Sequence, residues 1–283
     1  MLLTQARVDT LIQLISGTFN VRDIWHELDI QSPDNRQHLR VILGRLEAQG
    51  LIIKTRKDGT YRKVDDAIVP INWQEADPTN VLSIKLPFGL EEYCKIYPKS
   101  IIIVAGEKNA GKTAFLYQTV VLNMNQFTVD LFNSETGMEQ MNERFQPLGI
   151  PNPAPFNAYE RYDNFSDVIK PTHVSVIDYL DFNSEVYLVG EEIDLIFRKK
   201  TTGVAIIGLQ KPPGRDLAYG GAFSAKRAIL YISLGNKTLK LLYVKNPAQK
   251  GVNPNNMSWS YRFDGDGYFK DIQRVYTEDN YEF

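Results

Sequence analysis

Cysteine is almost absent: Cys94 stands alone in 283 residues, so neither an intrachain disulfide nor a cysteine-built zinc cage can form. A reducing, cytoplasmic setting fits. Long apolar runs are missing as well. The stretch "MLLTQARVDTLIQLISG" carries an apolar stripe, but Gln5, Arg7, Asp9 and Gln13 interrupt it, which excludes a signal-peptide core and a membrane span there. No targeting segment and no membrane partner are expected. Neither sign of charge dominates: 32 Lys and Arg against 34 Asp and Glu leave a net charge of −2, which excludes a basic nucleic-acid coat. Internal repeats and low-complexity tracts are absent too. What remains is 43% hydrophobic and 23% charged, ordinary for a chain that buries a substantial core, and long enough for an α/β domain with a small appendage.

The densest signal lies in "IIIVAGEKNAGKTAFLYQTVV". A β-branched run delivers the chain into a glycine-rich loop and then directly into an apolar-periodic helix, which is the sequence form of a phosphate cradle. Gly106, Glu107, Lys108, Asn109, Ala110, Gly111, Lys112 and Thr113 match G-x-x-x-x-G-K-[ST] in full, and Ala114 follows in the first helical turn. The glycines let backbone amides close around phosphates, Lys112 reaches the β- and γ-phosphates, and the Thr113 hydroxyl ligates magnesium. ATP and Mg2+ are the expected cofactors.

A magnesium-nucleotide site also needs a carboxylate at a neighbouring strand end. Asp178, closing "VSVID", is the candidate, although a strand-end aspartate also caps turns. Glu135, in "DLFNSET", is the candidate base that orients water for hydrolysis; with Ser134 and Thr136 beside it, helix capping is the alternative. Gln210, ending "VAIIGLQ", is placed to sense the γ-phosphate or to satisfy backbone groups at the sheet edge.

Strands and helices alternate from Ile101 onward: "IIIVA", "FTVDLFNS", "VSVIDYL" and "GVAIIGLQ", with helices near 112–124, 138–145 and 184–200. A mostly parallel sheet follows from that alternation. "AILYISLG", "TLKLLYVKN" and "WSYRFD" then read as an antiparallel extension of it. The expected division is a small domain over 1–64, a proline-bearing linker over 65–88 and the α/β domain over 89–283.

Residues 1–64 read as three helices and a hairpin turning at Asp58-Gly59, with Ser32 capping and Pro33 opening the third helix. This segment resembles a winged helix-turn-helix. Arg36 and Arg40 would lie on its recognition helix, and Lys54, Arg56, Lys57, Arg62 and Lys63 on its wing, where they could neutralise phosphates. The same cations suit protein docking.

Over residues 86–263 the chain resembles the RecA-type ATPase core, and more closely the motor of DnaB-type replicative helicases. "AGEKNAGKTAF", "NSETGMEQMNERF", "VSVIDYLDF" and "IIGLQKPPGRD" are similar to that family's successive motifs, in the family's order. The resemblance implies a RecA-like ATPase fold and a homo-oligomeric ring or filament, such as a hexamer. It further implies a basic group entering each site from the neighbour, and single-stranded DNA in a central channel. Lys245 matches the family's trans-acting lysine, but Pro247 stands where its arginine would be; Lys211, Arg215 and Arg227 are the nearest substitutes. Slow or partner-dependent hydrolysis follows. The functions in competition are a DNA-associated ATPase recruited through the small domain, a non-motor assembly switch, and a filament-forming recombinase.

Overall fold

A computed structural model describes residues 3–15, 17–180, 188–264 and 267–276. The chain divides into two compact units, Met1–Ala76 and Asp77–Phe283. Residues 181–187, which hold the start of the helix expected over 184–200, lie outside the described residues.

The first unit contains helices α1 (Gln5–Leu14), α2 (Val21–Glu27) and α3 (Pro33–Ala48), and strands β1 (Thr18–Asn20), β2 (Ile52–Lys54) and β3 (Thr60–Lys63). Local chemistry sets the helix starts. Asn20 and Asp23 form a reciprocal capping box at α2, and the Ser32 hydroxyl accepts from the Asn35 amide at 3.2 Å with Pro33 in the first turn. Val8, Ile12, Ile24, Leu39, Ile42, Leu43 and Ile52 fill the core. β1, which runs antiparallel to β3 and makes the sheet order β1-β3-β2, was not foreseen; three residues are too few to show an alternation.

The second unit is a nine-stranded sheet in the order β12-β11-β10-β9-β4-β8-β7-β5-β6. Its members are β4 (Ile101–Gly106), β5 (Val129–Asn133), β6 (Asn157–Glu160), β7 (Val174–Asp178), β8 (Ala205–Gln210), β9 (Ala228–Gly235), β10 (Thr238–Val244), β11 (Ser258–Phe263) and β12 (Phe269–Val275). The six strands from β9 to β6 pair in parallel, and β10 to β12 continue antiparallel, so the sheet is mixed and mostly parallel as expected. Every residue of β4 is buried. Its Ile102 and Val104 meet Phe115, Leu116 and Val120 of α4 (Lys112–Asn123). Ile101 and Ile103 share the opposite cluster with Ile193 and Ile196 of the helix Val189–Lys199. Two covered faces explain a strand that reads as an unbroken apolar run.

The unit boundary after Ala76 differs from the expected linker over 65–88. Ile84 and Leu86 are core residues of the second unit, and the Asn123 side chain binds the backbone of Lys85 on both sides, at 2.9 and 2.7 Å. Three prolines within that stretch suppress periodicity without preventing burial.

At the sheet end opposite the strand C-termini, Lys200 is wholly buried, donating to the Lys170 and His173 carbonyls and the Ser175 hydroxyl at 3.0, 2.7 and 2.8 Å. Burial pulls its ammonium down to about 7, against the attraction of Asp130. Beside it, Gly203 has no room for a side chain, because a Cβ would stand 2.2 Å from the His173 carbonyl oxygen. Gly203→Ala is therefore expected to destabilise the second unit by about 3 kcal/mol or more, since backbone rather than a movable side chain opposes the methyl. Urea denaturation checks this; an unchanged midpoint would mean that the His173 backbone yields freely.

Candidate functional site

β4 ends at Gly106, and the chain passes through Glu107–Gly111 into α4. Two residues take left-handed backbone angles there, Asn109 at φ 63° and Gly111 at φ 88°, and Gly111 caps α4. A short polar side chain tolerates that conformation and glycine adopts it without penalty. Gly111 answers a second demand: a Cβ would stand 2.0 Å from Cζ of Phe263, whose ring tip rests on the loop. Tyr261, two residues before Phe263 in the same strand, donates to the Ala110 carbonyl at 2.6 Å. The hairpin of β11 and β12 thus braces the loop through an aromatic cluster of Phe88, Tyr261, Phe263 and Phe269.

The loop opens on a cavity of about 480 Å³. Glu107, Lys108, Asn109, Gly111, Lys112, Thr113 and Ala114 line it, whereas Gly106 and Ala110 are buried behind them. Glu135 and Gln210, from the ends of β5 and β8, line the same cavity. The first turn of α4 contributes the positive end of a helix and amides with no partner inside the helix, an environment made for an anion. The Lys112 ammonium lies 3.6 Å from the centre of the Tyr179 ring, so the ring face holds the cation at the cavity wall.

Asp178 ends β7, wholly buried, and neither carboxylate oxygen meets hydrogen-bond geometry with any described residue. Burial pushes its carboxyl up to about 6, while Lys112 and then the nearby Thr113 hydroxyl act in the opposite direction. Two orphaned oxygens next to a threonine hydroxyl fit a hard cation, which takes oxygen ligands and keeps part of its water shell. Among the described residues no group of three His, Cys, Asp or Glu side chains could hold a metal alone. One carboxylate, one hydroxyl and phosphate oxygens would complete a magnesium shell without such a group.

Glu135 sits in a turn built by Asn133, whose Oδ1 accepts from the Thr136 amide and hydroxyl at 3.2 and 3.0 Å. The Ser134 hydroxyl joins that turn to β7, donating to the Tyr179 carbonyl at 2.7 Å. Glu135 itself is exposed to the cavity and caps nothing through its side chain among the described hydrogen bonds.

The cations expected as substitutes for a missing arginine lie elsewhere. Lys211 is buried, donates to Ser233 at 2.9 Å and pairs with Glu107 at 3.7 Å; burial lowers its pKa against the pull of Glu107. Arg227 binds Asp194 at 2.7 Å and stacks over Phe197. Arg215 and Lys245 are exposed, and none of the four lines the cavity. In the first unit, Arg36 stacks 4.7 Å over Trp25, Arg40 reaches Gln37, and Lys63 donates to the Gln13 carbonyl. Lys54 approaches Asp58 at 4.0 Å, Arg62 donates to the Lys63 carbonyl, and Arg56 and Lys57 are exposed.

Sequence reasoning missed Tyr117, Gln118, Arg144, Tyr179 and Phe263, all of which line the cavity. Gly208 was missed too: a Cβ there would stand 2.8 Å from Leu116 and 3.4 Å from Lys112, so its absence lets α4 lie close on the sheet. Only Arg144, within the quoted "NSETGMEQMNERF", carried a visible signal, as a basic residue in the last turn of an amphipathic helix.

No family model matches the chain. Among curated proteins it is similar to a 5-dehydro-2-deoxygluconokinase of Clostridium botulinum (strain Alaska E43 / Type E3), 26% identical over 181 residues. The match covers 62% of this chain and 48% of the relative, so the chain spans about half that protein's length. The relative is named as a sugar kinase, and that finding overturns the resemblance to a RecA-type or DnaB-type motor. The DNA-associated ATPase function falls with it, as do helicase activity, DNA binding and a winged helix as descriptions of this chain. The fold stands at its coarser level, a mixed α/β chain with a large, mostly parallel sheet. No described helix is long and apolar enough to cross a membrane.

The raised pKa of Asp178 fixes a sign. A carboxyl whose folded pKa lies above its unfolded value contributes stability below the unfolded pKa of about 4, and that contribution is lost as pH rises through about 6. Asp178→Asn is therefore expected to stabilise the ligand-free protein at pH 8, by on the order of 1–3 kcal/mol, while weakening magnesium binding. Thermal denaturation at pH 4.5 and pH 8 tests this; a variant less stable than wild type at pH 8 would show that the carboxylate is satisfied.

Proposed function

We propose that the chain is an ATP- and Mg2+-dependent phosphotransferase that transfers the γ-phosphoryl group to a hydroxyl of a small, sugar-type acceptor. The observation that carries this reading is the convergence, on one cavity, of the loop 107–114 at the N-terminus of α4 with Glu135 and Gln210, and the buried carboxylate of Asp178 behind Thr113 and Lys112. The kinase relative supports both the class of reaction and the choice of acceptor.

Loop amides and the Lys112 ammonium hold the β- and γ-phosphate oxygens, Lys112 leaving the Tyr179 face for the stronger charge of the phosphates. Thr113 and Asp178 would hold magnesium, which supplies charge neutralisation between the phosphates. Glu135, exposed on the cavity wall, accepts the proton of the acceptor hydroxyl. Gln210 orients the γ-phosphate through its side-chain amide. Positioning and charge stabilisation account for most of the rate in such a transfer.

Lys112→Ala is expected to abolish MgATP binding, and Glu135→Gln to retain binding within a few fold while lowering turnover by about 10²-fold or more. Titration calorimetry with MgATP, followed by ADP release in the presence of a panel of sugars and sugar acids, reads both. Unimpaired turnover in Glu135→Gln removes that residue from the reaction. ADP release that no member of the panel stimulates contradicts the acceptor class.

A further inference from the structure

We infer that Arg144 contacts the transferring phosphoryl group from within the same chain, supplying the cation that sequence reasoning sought at Lys211, Arg215, Arg227 or a neighbouring subunit. The inference rests on the proposed phosphotransferase reading and adds a residue to it.

Arg144 lies in the last turn of α5 (Met138–Phe145) and lines the cavity with Lys112, Glu135, Tyr179 and Gln210. Its position is set by its neighbour. Phe145 stacks on Tyr117 of α4 with ring centres 4.3 Å apart and planes 8° from parallel, and packs on Phe156 at 5.4 Å. The helix that carries the phosphate loop and the helix that carries Arg144 are thereby fixed to each other. No described carboxylate forms an ion pair with Arg144, although Glu139 and Glu143 lie on the same helix.

A half-buried arginine facing a cavity without a carboxylate partner loses hydration that only an incoming anion restores. Three cations, Lys108, Lys112 and Arg144, stand around this cavity against the carboxylates of Glu107 and Glu135, and Glu107 is engaged with Lys211. The planar guanidinium matches two equatorial oxygens of a phosphoryl group in flight, a geometry that a lysine reproduces poorly. In the transfer, the acceptor oxygen forms its bond to the γ-phosphorus as the bond from phosphorus to the β,γ-bridging oxygen breaks. ADP departs with that electron pair, the acceptor proton passes to Glu135, and Arg144 offsets the charge spread over the equatorial oxygens. Because α5 follows the Glu135 turn directly, base and cation are delivered by one segment of chain.

Calorimetric titration of wild type, Arg144→Lys and Arg144→Met with MgADP, alone and with aluminium fluoride, tests this. Wild type is expected to bind MgADP more tightly when aluminium fluoride mimics the transferring group. Arg144→Met should keep its MgADP affinity within about threefold and lose on the order of 10²-fold or more of that enhancement, with Arg144→Lys in between. An undiminished enhancement in Arg144→Met overturns the assignment, as does an equal loss of affinity for MgADP alone, which would mark a merely structural arginine. Wild-type protein that binds no MgADP fails the nucleotide reading, and this proposal with it, whereas the first two outcomes fail the Arg144 assignment alone.

Discussion

A carboxylate buried without a partner is the constraint on which the site depends. Asp178 ends a strand flanked by buried neighbours, and neither of its oxygens meets hydrogen-bond geometry with a described residue, the Thr113 hydroxyl and Lys112 charge lying near without offsetting its burial. Folding tolerates an arrangement of this kind where a ligand completes it. The helix N-terminus at Gly111 presents the complementary feature, amides that find no acceptor within the helix beside a lysine held on a tyrosine ring. A metal for the first and phosphates for the second meet both deficits at once, which is why the two elements carry meaning together that neither has alone.

The rest of the second unit holds those two deficits in register. β4 and β7 are separated by β8, and Gly208 in β8 is the position whose missing side chain lets α4 settle over all three strands. On the outer side the hairpin of β11 and β12 clamps the loop through Tyr261 and Phe263, so a segment more than a hundred residues downstream sets the loop's shape. Stability and poise for ligand binding thus compete within one unit, the core being tight and the site left electrostatically incomplete.

The elements with strong periodicity were legible in sequence. α4, α5, β4, β8 and β9 fall within a residue or two of their expected positions, because buried parallel strands and amphipathic helices declare themselves locally. β1 and β6 were not legible. The first has three residues, and the second is an edge strand whose four residues are all exposed, which leaves no apolar alternation to read. The loop 106–113, Asp178, Glu135 and Gln210 come to one end of the sheet because each closes or directly follows a parallel strand, a placement that the strand pattern alone suggests. Arg144, Phe263 and Gly208 escaped because their roles depend on packing across sequence separations that no local pattern encodes. The inferred kinship with helicase motors rested on motif order, and the sugar-kinase relative corrects it.

The central claim, that the amides of residues 106–114 close around a magnesium-bound triphosphate, is tested most directly by hydrogen exchange with and without MgATP. Slowed exchange concentrated in residues 106–114, extending to the ends of β5 and β7 and absent when magnesium is withheld, is the expected result. Unchanged exchange in that loop at saturating MgATP would contradict the account.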